Sequence, residues 1–366
     1  MARSHGRRRR LLPVASAAAA ALVLLALLIL LPAAPPGGGP TALLRAAIAA
    51  HPSPESYARP CSDHLSLSLH RLRAAVASLE SGDPPAAALH LASASLQYQY
   101  DCSHLLSIPA FPSHSLTSRF LGSFAPRTLA AAGTKPSSAT ASAAAFPASI
   151  RADATVCKAS PAAAETKQCD YSTVQRAIDA APNYTTGHFV IKVAAGVYNE
   201  NVVIPYEKTN ILLVGEGMGA TVITASRSVG IDGLGTYDTA TVAVTGDGFR
   251  AKDITFENSA GAGAHQAVAF RSDSDRSVLE NVEFRGHQDT LYARTMRQLY
   301  RRCRIVGTVD FIFGNSAAMF EECVIKTVPR AEGARKSARN VVAANGRIDP
   351  GQTTEAEAFM ERKVTG

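Results

Sequence analysis

Four stretches decide the fold: KDITFEN (252–258), ENVEFRG (280–286), RRCRIVG (301–307) and EECVIKT (321–327). Each opens on a polar pair and continues with alternating apolar positions, and they recur every ~20–28 residues, a solenoid spacing. Alternation with period two marks a strand with one face buried. A strand that returns once per coil stacks on its predecessor in parallel, with neighbours ~4.8 Å apart. The rival, an antiparallel sandwich, needs tight Asn-Gly or Asp-Gly hairpins between matched strands, and these are scarce. The pattern predicts a parallel β-helix.

Two fragments within these coils, GHQDTLY (286–292) and VDFIFG (309–314), set an aspartate among apolar and aromatic residues. In a coil of about 21 residues, positions one period apart sit above one another. Asp289 then stacks near Asp310, and Gln266 near Gln288. Two carboxylates held this close do not both ionise readily, so one proton affinity is driven up while the other stays low. That divides the labour into one general acid and one nucleophile. The amides beside them donate hydrogen bonds to an oxyanion formed when a carbonyl is attacked. A single aspartate here would read as a strand end or turn cap. Four matched polar residues beside Tyr292, Phe311 and Phe313 exceed turn chemistry. With no serine elbow and no metal cluster in view, the expected reaction is ester hydrolysis through an acyl-enzyme on aspartate, without a cofactor.

Outward from the coils, the 366 residues leave room for more than one folding unit. MARSHGRRRR precedes a charge-free apolar run over 11–31, long enough to span a hydrocarbon core as a helix of roughly 20 residues. Residues 1–10 read as a cytosolic basic tail and 11–31 as a transmembrane signal anchor, placing the rest across the membrane. A cleaved signal peptide shares the charge order but has a shorter apolar core, ~7–15 residues. The formal net charge of +7 falls to +2 once the five leader arginines are set aside, so the exported part is only mildly basic. That balance suits work on a polyanion. No aromatic-interleaved basic patch points to nucleic acid.

Residues 41–129 are rich in Ala, Leu and Ser, and LSLHRLRAAVASLE and AAALHLASASLQYQYDC place apolar residues at helical intervals. With SGDPP as the turn, they predict an antiparallel helical hairpin without catalytic types of its own. Small polar residues over 130–150 read as a linker. From 151 to 366 short β-branched runs closed by Gly, Asn or Asp replace helical periodicity. Six cysteines, an even number, suit an oxidising compartment. They fall into neighbouring pairs, Cys61 with Cys102, Cys157 with Cys169 and Cys303 with Cys323, none at zinc-site spacing. For the last pair, equivalent places in successive coils predict a disulfide. Asn183-Tyr184-Thr185 is a glycosylation sequon, again pointing to the secretory pathway.

From about 154 to 349 the chain resembles the plant pectinesterases, or pectin methylesterases. The resemblance is carried by GVYNENV, ATVAVTGDGFRAKDITFEN, HQAVAF, GHQDTLY, GTVDFIFGNSA and VAANGRIDP. The upstream PCSDHLSLSLHRLRAAVASLE through LQYQYDC resembles the later part of that family's inhibitor-like pro-region. The resemblance implies a right-handed parallel β-helix that removes methyl esters from pectin homogalacturonan in the cell wall. It implies Asp310 as nucleophile, Asp289 as general acid then base, Gln288 and Gln266 at the oxyanion, and Thr236 of GTYDTAT in contact with substrate. The pro-region would contact the β-helix. His287 stands where an aromatic is more usual and Phe270 where leucine is, which predicts altered subsite preference. The family's LGRPW segment, whose arginine pairs with the nucleophile, does not occur in the 366 residues, and TTEAEAFMERKVTG resembles nothing expected there. The expectation is a β-helix incomplete at its C-terminus, with slower or lost attack. The competing readings are a catalytically impaired pectin-binding or inhibitor-type protein and an incomplete gene model of the enzyme. A pectate lyase or polygalacturonase would need a calcium-binding carboxylate cluster or a more acid-rich cleft.

Overall fold

The structure, a computed structural model, describes residues 39–59, 61–123, 146, 150–158, 169–330 and 339–346. The basic tail and apolar segment over 1–31 and most of the linker lie outside these residues. Among the described residues no helix is long and apolar enough to cross a membrane.

The helical unit contains α1 (Pro40–Ala49), α2 (Cys61–Glu80), α3 (Pro85–Leu105) and α4 (Pro112–Gly122). Proline opens α1, α3 and α4, where its fixed φ fits and its missing N–H costs nothing. Gly82, at φ +79°, makes the left-handed bend in the SGDPP turn. Leu72, Ala75, Ala88, Ala92 and Leu96 form the hairpin's buried seam. Beyond the expected hairpin, Leu44 of α1 and Phe120 of α4 enter the same core, so four helices share it. Cys61 and Cys102 are bonded across α2 and α3, and Cys157 to Cys169.

The remainder coils into a parallel β-helix. Among the described residues the larger sheet has 11 strands, with a spine running from Ala154–Val156 through Phe189–Val193, Ile211–Val214, Arg250–Asn258, Ser277–Arg285 and Arg297–Arg301 to Ala317–Glu321. A second sheet stacks Val202–Ile204, Val242–Val244, Phe270–Ser272, Leu291–Ala293, Ile312–Gly314 and Ala343–Asn345. Inward-pointing rings from both sheets fill the lumen: Phe256 lies 5.2 Å from Phe270, Phe270 5.4 Å from Phe284, and Phe284 5.7 Å from Tyr300. The second residue of each polar pair in the repeat, Asp253, Asn281, Arg302 and Glu322, is left-handed, with φ of 51° to 55°. These residues turn the chain at one corner of successive coils, and Asn281 Nδ2 donates to Asp253 Oδ1 there at 2.5 Å.

Two expectations are corrected. Cys303 and Cys323 stack as equivalents but remain buried free thiols. On parallel neighbours the two side chains run side by side, and the thiols meet as a hydrogen-bonded pair without the ~90° Cβ–S–S–Cβ turn of a disulfide. Each sulfur also donates to carbonyls, Cys303 to Leu279 O at 3.4 Å and Cys323 to Tyr300 O at 3.4 Å. Phe270 does not line a subsite, because strand alternation turns it into the core, fully buried, and turns Arg271 outward.

Helices α2 and α3 lie against the solenoid. Arg71 donates to both carboxylate oxygens of Asp247, at 2.7 and 2.9 Å, and to Asp273 O at 2.9 Å. Asp101 pairs with Arg294, and Asn315 Nδ2 donates to Gln97 Oε1 at 3.0 Å. Met296 packs among Leu67, Ala94 and Tyr98. From the linker, the Phe146 ring lies 5.7 Å from both Arg250 Cζ and Lys252 Nζ.

Candidate active site

The second sheet positions the acids. Leu291 pairs with Ile312 and Tyr292 with Phe313, so the residues two before, Asp289 and Asp310, fall at the same level of adjacent coils. Asp289 N donates to Val309 O at 3.0 Å, which holds the two segments together. Both aspartates are left-handed, φ +65° and +51°, a conformation that Asp tolerates better than most side chains. Each ends an irregular corner just before a strand and lies off the regular ladder.

Gln266 and Gln288 pair in an isolated parallel bridge, and Ala267 N donates to Gln288 O at 3.2 Å. Both glutamines are half-buried. Thr236 begins the short turn Thr236–Thr239, half-buried, and Thr239 Oγ1 donates to Thr236 O at 2.8 Å. Val268 N donates to Thr239 Oγ1 at 3.1 Å, tying this turn to the strand entered from Gln266.

Asp289 is buried, and its carboxyl is pushed up to about 7, by burial first and by the neighbouring Asp310 second. Such a group keeps its proton in mildly acidic water, as a general acid must. His287, half-buried, has its imidazole held below its usual value by burial. Gly307 provides the close fit beneath the acids. A Cβ there would lie 2.3 Å from Phe311 Cβ and 2.8 Å from His287 O. Only glycine lets the fully buried Phe311 seat under the Asp310 corner.

Tyr292 and Phe313 stack at 4.1 Å with 17° between their planes, a flat aromatic step beside the acids. Three further residues gather here that the sequence reading did not single out: Tyr237, Arg271 and Arg294. Arg271 Cζ lies 3.4 Å from the Tyr237 ring centroid and Arg294 Cζ 4.8 Å from it. His64 of α2 meets Tyr237 edge-on at 4.5 Å. The signal for Arg271 was present in strand parity, a cation placed outward between Phe270 and Ser272. Nothing local marked His64 or Asp101.

The Pectinesterase family model matches residues 161–362. The chain is 52% identical over 223 residues to "Probable pectinesterase/pectinesterase inhibitor 64" of Arabidopsis thaliana, covering 60% of this chain and 36% of that one. It is 51% identical over 185 residues to "Probable pectinesterase/pectinesterase inhibitor 32" of the same plant, covering 50% and 34%. The chain thus spans about a third of the length of the curated relatives it matches. Among solved structures, "Pectin methylesterase from Carrot" superposes with a TM-score of 0.52 at 42% identity, covering 57% of this chain and 62% of that one. By the share of its length that the family model matches, the chain belongs to the Pectinesterase family.

Proposed function

We propose that the chain demethylesterifies pectin homogalacturonan, working outside the cytosol on the plant cell wall. An Asp310 oxygen attacks the ester carbonyl carbon. The oxyanion takes hydrogen bonds from the Gln288 and Gln266 amides. Asp289 passes its proton to the departing methoxide oxygen as the C–O bond breaks, and methanol leaves. A water then gives a proton to Asp289 and attacks the acyl carbon, releasing galacturonate and restoring Asp310. Thr236 contacts the polysaccharide. The single observation that supports this most is the stacking of the buried Asp289 on Asp310 at one level of adjacent coils.

Methanol release from methyl-esterified pectin tests the reading. Asp310→Asn abolishes it, because an amide does not form the acyl-enzyme. Asp289→Asn loses about 10²–10⁴ in rate with the proton donor. Gln288→Ala loses about 10²–10³ as one oxyanion donor goes. Unchanged turnover by Asp310→Asn returns both acids to a structural role.

The same proposal includes the right-handed sense of the coil, a membrane anchor at 11–31 and a glycan on Asn183, which is exposed in a turn. The helical unit acts as an autoinhibitory pro-segment, a reading supported by His64 of α2 against Tyr237, next to Thr236. The non-catalytic pectin-binding reading has no comparable observation in its favour.

A further inference from the structure

The solenoid face beside Tyr237 carries two guanidinium groups for one carboxylate. Arg271 and Arg294 are almost fully buried, and both donate to Asp273, Arg271 Nη1 to Oδ2 at 2.5 Å and Arg294 Nη1 to Oδ1. The Nε of each has no hydrogen-bond partner among the described residues. Tyr237 covers one face of the Arg271 guanidinium. Taken alone, this cluster has one positive charge too many for a buried site, and an unpaired buried charge is costly.

The missing carboxylate comes from the helical unit, as Asp101 of α3 accepts from Arg294 Nη2. A neighbouring cluster needs the opposite charge at one acid. Asp275 is paired within the solenoid, with Arg297, which donates through Nε to Asp275 Oδ1 at 2.8 Å, and with the exposed Arg276 at 3.7 Å, whereas Asp247 takes its ion pair from outside the solenoid. There α2 supplies Arg71 to Asp247. One added anion and one added cation, each matched to a different patch, fix a single docking register, as complementary charge does at interfaces.

The positive patch lies where a sugar chain would run. Arg271 is in register with Tyr292, and Tyr292 with Phe313, so cation and stacked rings form one outward row on consecutive strands. Rings offer an apolar face to a pyranose. Two guanidinium groups recognise a carboxylate by charge-assisted hydrogen bonds and gain nothing comparable from a methyl ester.

We propose that Arg271 and Arg294 form a carboxylate socket whose Arg294 arm Asp101 occupies in the closed chain, and that an unesterified uronate unit of an acidic polysaccharide enters when α2 and α3 lift away. Asp101 is thus an internal stand-in for de-esterified substrate, and polyuronate competes with the helical unit for Arg294. This rests on the pectin-directed reading given above, but the probe carries no ester, so the binding result stands whether or not methanol is released.

The probe is an unesterified oligogalacturonide titrated by calorimetry into the 366-residue chain and its Asp101→Asn variant. Asp101→Asn binds about tenfold tighter, the worth of one charge-assisted hydrogen bond no longer competed away. A fully methyl-esterified oligomer shows no such gain, and Asp101→Asn/Arg271→Gln loses it. In the parent chain, saturating unesterified oligomer speeds backbone hydrogen exchange in α3. Equal affinity of parent and Asp101→Asn overturns the proposal, as does an equal gain with the esterified oligomer. Should the double variant fail to fold, the esterified against unesterified comparison on Asp101→Asn decides alone.

Discussion

Replacing Asp289 by asparagine makes the chain more stable, by an amount that grows as pH rises from about 4 to about 7 and then levels off. The carboxyl rises from an ordinary 3.8 to about 7 in the folded chain, through burial and then through Asp310. Between those values the folded state binds the extra proton, so stability falls as pH rises through the window. A rise of roughly three units at ~1.4 kcal/mol each sets a ceiling near 4 kcal/mol on the cost of ionising Asp289 above pH ~7. Asparagine keeps the size and removes the charge. The assay is urea denaturation of parent and Asp289→Asn at about pH 4 and pH 8, read as the difference in unfolding free energy. The variant's advantage is near zero or negative at the lower pH and grows by up to about 4 kcal/mol at the higher. Asp310→Asn gives a smaller gain of the same sign, since it removes only the second cause. A difference between parent and variant that does not change with pH refutes the reasoning, because an acid that is not shifted contributes no such slope.

Gly307→Ala forces a methyl group to 2.3 Å from Phe311 Cβ, and overpacking of this kind costs about 1–3 kcal/mol or more. The expected outcome is a lower melting temperature together with a downward shift in the Asp289 titration, measured by carboxyl-carbon resonance, and an unchanged melting temperature contradicts the close fit. Arg71→Ala strips Asp247 of both its guanidinium hydrogen bonds. Docking of α2 and α3 weakens by about 2–4 kcal/mol, below a fully buried pair because Asp247 keeps some solvent. Backbone hydrogen exchange in α2 and α3 accelerates and methanol release rises, whereas unchanged exchange shows that Arg71 holds nothing together.

The coil was legible because two periods coincide in the sequence. Alternation gave the strands, and the recurring polar pair marked the corner that Asp253, Asn281, Arg302 and Glu322 turn with positive φ. From that register the stacking of Asp289 on Asp310, and of Gln266 on Gln288, followed by counting. Parity was harder to apply by eye. Phe270 differs from the family pattern in the lumen, where it meets Phe256 and Phe284, and Arg271 faces out in its place. Equivalent coil positions do bring Cys303 and Cys323 together, but as hydrogen-bonded thiols and not as a disulfide. The helix-to-solenoid ion pairs left no local trace. Arg71 and Asp247 are 176 positions apart, and Arg294 and Asp101 193, with neither pair in a periodic pattern. Such contacts follow from how two finished units meet, which no window of sequence contains.

The most direct measurement is to trap the acyl group. The chain is mixed with methyl-esterified oligogalacturonide in hydroxylamine, quenched with acid, and the peptide containing residues 305–315 and the released galacturonate are analysed by mass spectrometry. The account predicts a hydroxamate, on the Asp310 side chain or on the released galacturonate, that requires substrate, disappears in Asp310→Asn, and appears alongside methanol. Methanol release with neither hydroxamate formed, or Asp310 modification without substrate, contradicts it.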